Sequence, residues 1–510
     1  MAKLLVLADD FTGALDTGVQ FSSRGISTFV TVKDNTGFSS TVNPTFETEV
    51  SNDIISVASD MQRCGKVEDD LFTNQEPYVC IVDLESRHIP AEDAAGKVHR
   101  IVNNALHSGV EYFYKKTDST LRGNIGAELS AMLKASDSGC LAFVPAYPKA
   151  GRTTRNGYQL VNDVPLHNTV FAKDPLNPID ESYIPAIIGK QSNCKAVLLK
   201  VSDDKLTIID EEANTKVDID VFFSGYECSR LSVSTEEPFI LICDSSADED
   251  MQRIGDILKK YGILYTTAGC AGFASVLPDL LELVETGKSK KTCKNKPRLH
   301  NDAILVICGS LNETSLKQIK HAENEGWYSI SISPDILLQD IEGKSNMPES
   351  WSRTAEDIAA AIKQNGKAII KTVDDTDQLK SYIRYGERLG LDKNEIHLRI
   401  AGNMGMLIKH LSNLSDIGAY AVFGGDTAFG IMKAMEWDGL IPRDEITPGV
   451  VISQIMHDRS VNFGSSKENY PDGSNENKRC TYLITKAGGF GDEDVLIKIE
   501  KYLKETGDFT

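Results

Sequence analysis

Leu4-Leu5-Val6-Leu7-Ala8-Asp9-Asp10-Phe11-Thr12-Gly13-Ala14 opens the chain. An apolar run with no polar alternation reads as a strand buried on both faces, the pattern of a parallel sheet. Two carboxylates end it at its carboxyl edge, where open α/β sheets hold their ligands. One of them is expected to cap the helix that starts near Thr12. The other is placed to orient a substrate hydroxyl, accept its proton or bind Mg²⁺.

The same grammar recurs through the first 160 residues. A strand from Tyr78 to Val82 runs into Asp83-Leu84-Glu85-Ser86-Arg87-His88, and Phe143-Val144 runs into Pro145-Ala146-Tyr147-Pro148 and then Gly151-Arg152-Thr153-Thr154-Arg155-Asn156-Gly157, read as a loop with two arginines. The richest strand end is Lys115-Lys116-Thr117-Asp118-Ser119-Thr120-Leu121-Arg122-Gly123-Asn124, after Tyr112-Phe113-Tyr114. The chain as a whole is acidic, with 54 Lys+Arg against 74 Asp+Glu and a net charge of −20, so this local set of cations and hydroxyls stands out. It suits a small polyhydroxylated anion. Arg122 can grip a carboxylate or phosphate bidentately, the lysines act as point charges, and Ser119, Thr120 and Asn124 can read hydroxyls. The bland alternative is a loop with a helix cap at Ser119 or Thr120. Four polar strand ends together favour one binding crevice.

A chain of 510 residues is long enough for two substantial cores. The polar, Lys-rich stretch Thr286-Gly287-Lys288-Ser289-Lys290-Lys291 through Arg298 separates them and reads as a solvated linker; an acidic chain offers no footprint for nucleic acid. On both sides strands alternate with helical patterns: Phe239–Asp244 before a helix Asp248–Lys260, then strand 303–307, helix Ser315–Glu325, strand Tyr328–Ile332, helix Thr354–Gln364, and strands Ala368–Lys371 and Tyr420–Phe423. Such alternation predicts parallel sheets covered by helices on both faces. Residues 33–76 and 463–478 read as insertions of loop composition.

Three glycine turns follow strands in the second half: Cys308-Gly309-Ser310, Phe423-Gly424-Gly425-Asp426-Thr427 and Ala487-Gly488-Gly489-Phe490-Gly491. Glycine lets backbone amides approach phosphate oxygens, and a helix start adds its dipole. Neither Gly-x-x-x-x-Gly-Lys-[Ser/Thr] nor Gly-x-Gly-x-x-Gly is present, so no Walker loop is expected and a nicotinamide-dependent sugar-acid dehydrogenase is disfavoured.

Ala8-Asp9-Asp10-Phe11-Thr12-Gly13-Ala14, Glu85-Ser86-Arg87-His88, Lys116 through Asn124, Gly424 through Ala428 and Thr485 through Gly491 together resemble the four-carbon acid sugar kinase family, in order from residue 4 to about residue 495. The resemblance implies an α/β fold of two domains, each a mainly parallel sheet flanked by helices, with the active site in the cleft between them. Residues 1–287 would bind the sugar acid, 288–302 link, and 303–510 bind the nucleotide. The implied reaction is phosphorylation of threonate, erythronate or 3-oxo-tetronate by ATP with Mg²⁺. Substrate residues would be Asp9, Asp10, Arg87, Lys116, Asp118, Ser119, Arg122 and Asn124, with Arg87, Lys116 or Arg122 on the carboxylate. The ATP site would comprise Ser310, Gly424, Gly425, Asp426, Thr427, Gly488 and Gly489. Asp426 is favoured as proton acceptor, with Asp9, Asp10 and Asp118 as further candidates, and domain closure would exclude water. A non-catalytic sugar-acid sensor using the same clamp is the alternative from another class.

Ten cysteines lie scattered without a Cys-x-x-Cys pair, no signal peptide is expected before the first strand, and no apolar run reaches membrane-spanning length. A cytoplasmic protein with no membrane partner is expected, and a homodimer is the assembly to test.

Overall fold

The computed structural model describes residues 2–31, 79–173, 177–201, 206–228, 233–234, 237–283, 299–309, 313–340, 348–456 and 480–506. Two units divide the chain, residues 1–291 and 292–510. Both expected insertions, and most of the linker expected at 288–302, lie outside the described residues.

In the first unit the strands are β1 (Leu4–Ala8), β2 (Thr28–Thr31), β3 (Val79–Asp83), β4 (Tyr112–Lys116), β5 (Cys140–Val144), β6 (Lys195–Val201), β7 (Leu206–Asp210), β8 (Thr215–Asp218), β9 (Phe239–Cys243) and β10 (Thr266–Gly269). They pair in the order β2-β3-β1-β4-β10-β5-β9-β6-β7-β8, parallel from β2 to β6 and antiparallel at the β7 and β8 edge. Every side chain of β1 is buried, as its unbroken apolar run requires. Helices α1 (Phe11–Ser22), α2 (Ala91–His107), α3 (Ile125–Ala135) and α4 (Asp248–Lys260) connect and cover the strands. Helix α4 has the limits read from the sequence.

Register decides what shares an edge. Asp83 lies opposite Ala8, Ala8 opposite Lys116, Lys116 opposite Gly269, and Gly269 opposite Val144. The chain leaves all five strands at this row, so Asp9–Asp10, Leu84–Arg87, Thr117–Asn124 and Pro145–Gly151 emerge together. The stretch read as a loop at 151–157 is instead half of a hairpin, Arg152–Arg155 with Tyr158–Val161. Asn156 and Gly157 turn it with φ of 50° and 74°, the left-handed pair that a two-residue hairpin turn demands.

The second unit has strands β11 (Ile304–Cys308), β12 (Ser329–Ser331), β13 (Lys367–Lys371), β14 (Ala419–Phe423), β15 (Gly439–Thr447), β16 (Val450–Met456) and β17 (Tyr482–Lys486). Their order is β12-β13-β11-β14-β17-β16-β15, parallel through β17 and antiparallel beyond. Cys308, Phe423 and Lys486 stand in one row, which brings the turns after them to one edge. Helices α5 (Glu313–Asn324), α6 (Glu349–Asn365) and α7 (Gly425–Ala434) include those that follow β11 and β14. Among the described residues no helix is long and apolar enough to cross a membrane.

Candidate active site

The carboxyl edge of the first sheet holds an alternating array of charge. Asp10 caps α1, accepting from the Gly13 amide at 3.1 Å and from the Thr12 hydroxyl at 2.6 Å. Arg87 donates from Nε to Asp9 Oδ2 at 2.8 Å, and its terminal nitrogens reach Asp10 at 2.7 and 3.1 Å. Asp118 Oδ1 lies 3.8 Å from Nη2 of the same guanidinium. Arg87 is delivered there by Glu85, whose left-handed φ of 43° turns the chain so that the Ser86 and Arg87 amides both donate to the Asp9 carbonyl.

Arg122 grips Asp118 bidentately, at 2.8 and 3.1 Å, while the Thr120 hydroxyl and the Thr120 and Arg122 amides also donate to that carboxylate. Burial pushes the Asp118 carboxyl upward, but the Arg122 and Arg87 charges outweigh it and hold the group well below the usual carboxylate range. Asp10 is lowered in the same way, burial being overcome by Arg87 and Lys116. Lys116 is raised, because Asp9 and Asp10 outweigh the cost of burying an ammonium. Asp83 goes the other way: burial pushes it up to about 7 and hydrogen bonds from Glu85 only moderate the rise.

Lys115 and Lys116 do not act together. Successive strand residues face opposite sides of a sheet. Lys116 turns to the acids of the edge, and Lys115 turns inward to Glu128 of α3 at 3.2 Å. Ser86 donates to the same Glu128 at 2.5 Å, and Lys115 donates to the Lys116 carbonyl at 2.9 Å. Glu128 is the residue that sequence reasoning missed; its signal is the single acid of the helix Ile125–Ala135, set between Ile125, Gly126, Ala127 and Leu129. Asn124 donates to the Ser86 and Ile89 carbonyls at 2.8 and 2.9 Å, so its amide braces the loop that carries Arg87. Ser119 is half-buried beside Asp118, and its carbonyl accepts from Gln159 at 2.9 Å.

In the second unit Gly424, at φ 117°, starts α7; Asp426 is exposed on the first turn and Thr427 is buried. A Cβ on Gly309 would stand 1.8 Å from Thr427 Oγ1, so only glycine lets the turns after β11 and β14 touch. Ser310 lies outside the described residues. Gly488 and Gly489 are exposed, and a Cβ on either would meet nothing within 4 Å. Protein packing therefore does not require glycine there, whereas close approach of a ligand would. The turn is held from behind. The fully buried Lys486 donates to the carbonyls of Gly488 at 2.6 Å and of Ala487 and Phe490 at 3.3 Å, and Gln318 of α5 donates to Phe490, Gly491 and Asp492. Lys486 Nζ sits 4.9 Å from the Phe423 ring centroid, and burial pushes its pKa down to about 8. Among the described residues no three His, Cys, Asp or Glu side chains are grouped to hold a metal ion.

A parallel-sheet edge lined with paired guanidinium and carboxylate groups, joined in one chain to a second sheet with glycine turns, defines a two-domain α/β protein. Residues 4–277 match the sugar-binding N-terminal domain and residues 305–496 the nucleotide-binding C-terminal domain. The chain belongs to the four-carbon acid sugar kinase family. It is 26% identical to a D-threonate kinase of Salmonella typhimurium over 505 residues, covering 99% of each. It is 23% identical to a D-erythronate kinase of Heliobacterium modesticaldum and 22% identical to a 3-oxo-tetronate kinase of Brucella melitensis, in both cases over 99% of this chain and 97% of the relative. Solved structures from Salmonella typhimurium LT2 and Haemophilus influenzae share the fold, with TM-scores of 0.66 and 0.59 at 19% and 17% identity, over 98% of this chain and 99% of each.

Proposed function

We propose that the protein transfers the γ-phosphoryl group of ATP to a hydroxyl of a four-carbon sugar acid: threonate, erythronate or 3-oxo-tetronate. The observation that carries this is the Asp9–Asp10–Arg87–Lys116–Asp118–Arg122 array on one sheet edge. It offers both cations for a carboxylate and acceptors for carbinol hydroxyls, at the edge where parallel sheets bind ligands. Kinase names among relatives that span the whole chain support the same chemistry.

Asp10 and Asp118 are tied to guanidinium groups and lowered by them, so they are poor proton acceptors and serve to hold Arg87, Lys116 and Arg122 in place. Asp426 is the better acceptor for the hydroxyl proton, being exposed on the first turn of α7 beside the glycine amides. The Gly424–Gly425 and Gly488–Gly489 turns, with Thr427 and Ser310, would cradle the phosphates. Mg²⁺ in kinase sites takes one or two carboxylates together with phosphate oxygens, so the lack of a three-acid cluster among the described residues is compatible with it. The ion would neutralise charge on the phosphates. ATP as donor implies a cytoplasmic location, and a homodimer would be checked by light scattering.

The deciding experiment is coupled ADP release with Mg-ATP across D- and L-threonate, D- and L-erythronate and 3-oxo-tetronate. Acid-dependent turnover with one of them is expected. No turnover with any would overturn the proposal.

A further inference from the structure

Arg87 is paired with Asp9 and Asp10, and Lys116 faces the same acids. A second arginine converges on Arg122 from the hairpin. Arg122 Cζ lies 5.9 Å from the Phe171 ring centroid, and Arg152 Cζ lies 6.0 Å from that same centroid.

Several features fix this pair. Gly151 has φ 71°, and a Cβ there would stand 2.1 Å from Asn162 Oδ1, so only glycine leads the chain into Arg152 along this path. Tyr147 and Arg152 exchange backbone hydrogen bonds of 2.8 and 3.0 Å. Gln159, fully buried, accepts from Thr154 and donates to the Ser119 and Pro145 carbonyls, tying the hairpin to the loop that carries Arg122. Two like charges thus lie near one aromatic ring, while Asp118, the acid that attracts both, is already gripped bidentately by Arg122. Burial and the facing Arg122 push the Arg152 guanidinium down from its usual value, against the pull of Asp118. An anion in front of the pair relieves that repulsion. A guanidinium lying toward an aromatic ring presents its N–H fork sideways, the geometry that carboxylates match.

We propose that Arg152, with Arg122 and against the half-buried Phe171, forms the subsite for the substrate's carboxylate, a specificity-determining role that leaves the carbinol hydroxyls to the Asp9, Asp10, Lys116 and Asp118 side. The inference rests on the sugar-acid kinase assignment above.

The test compares two substrates in three proteins: the acid of the panel that is turned over fastest and its neutral primary amide, in wild type, Arg152→Met and Arg152→Lys. Arg152→Met should raise KM for the acid roughly 10- to 100-fold, the scale of a lost charge-assisted hydrogen-bond pair. KM for the amide and for ATP should move by less than threefold, so selectivity for acid over amide collapses, with Arg152→Lys intermediate. Phe171→Leu, which keeps both arginines, should shift the same ratio in the same direction by less, and serves if Arg152→Met does not fold. Equal effects on acid and amide, or an unchanged KM for the acid, overturn the subsite while leaving the kinase assignment intact. A wild type that neither turns over nor binds any acid of the panel by calorimetry overturns both.

Discussion

Gly13 and Lys116 compete for the same space: a Cβ on Gly13 would stand 2.6 Å from Lys116 Nζ and 2.5 Å from Asp10 Oδ1. Both atoms are the far ends of side chains, so the fold can yield, but only by moving two members of the charged array. Alanine also removes the helix penalty of glycine, about 1 kcal/mol. Gly13→Ala should therefore leave the melting temperature within a few degrees while kcat/KM for the acid falls about 100-fold, the scale of a displacement near one ångström. A large loss of stability at unchanged activity would contradict this account.

Glu128 and Lys115 make a buried ion pair behind the site. Glu128→Ala strands a buried ammonium and should cost about 3–5 kcal/mol in urea unfolding. Lys115→Met combined with Glu128→Met should recover most of that loss, since apolar groups fill the volume without uncompensated charge. A double variant as unstable as the single one would show that the pair contributes more than mutual neutralisation.

Much of this was readable in advance. Asp10 follows an apolar strand and precedes a helix, and it caps that helix because the grammar of strand, acid and helix is local. What the chain order could not tell was direction. Lys115 and Lys116 are adjacent letters but face opposite sides of a strand, and Glu128, thirteen residues on, is Lys115's partner only because α3 packs back on the sheet. Asn124 reads in the sequence as a candidate for hydroxyls, and its bracing of the Arg87 loop is not legible there, since its partners Ser86 and Ile89 lie far back in the chain. The hairpin at Arg152 is not legible as such because Asn-Gly marks loops and two-residue hairpin turns alike, and here Asn156 and Gly157 form the hairpin turn.

Arg87 compensates two buried carboxylates directly. In wild type, Asp10 and Asp118 have lowered folded pKa values, so their stabilisation is present above the unfolded value near 4 and is lost as pH falls through the folded ones. Arg87→Met removes the main attraction on Asp10 and leaves burial opposed by Lys116 and the Thr12 hydrogen bond, while Asp118 keeps Arg122; both carboxyls rise, Asp10 more, so the folded variant holds protons more readily than wild type. The variant should be about 3–5 kcal/mol less stable at pH 7.5, and the gap should narrow toward pH 4.5. A gap independent of pH would mean that Arg87 stabilises through packing of its stem.

Asp426→Asn tests the proton acceptor. If Asp426 takes the hydroxyl proton, kcat should fall about 10²- to 10⁴-fold, with KM for the acid and affinity for ADP within a few-fold of wild type. Unchanged kcat would move the role to another carboxylate.

Lys486 gives the second unit its own pH signature. Burial holds its folded pKa near 8, below the usual lysine value of 10.5, a difference worth roughly 3 kcal/mol against the charged form. Between those values the unfolded chain binds the proton and the folded one does not, so this contribution to stability rises with pH and levels off near 10.5. Lys486→Met has no such proton, and wild type should therefore gain on it as pH climbs from 8 to 10, read by urea unfolding at each pH. Methionine also withdraws the donor from the carbonyls of Ala487, Gly488 and Phe490, which frees the turn to rotate its amides away from a phosphate. ADP should bind Lys486→Met about 10-fold more weakly, the effect of one misplaced charge-assisted group, with affinity for the sugar acid unchanged. Equal ADP affinity in the two proteins would detach Lys486 from the nucleotide turn, and a stability difference flat in pH would show that its ammonium is solvated.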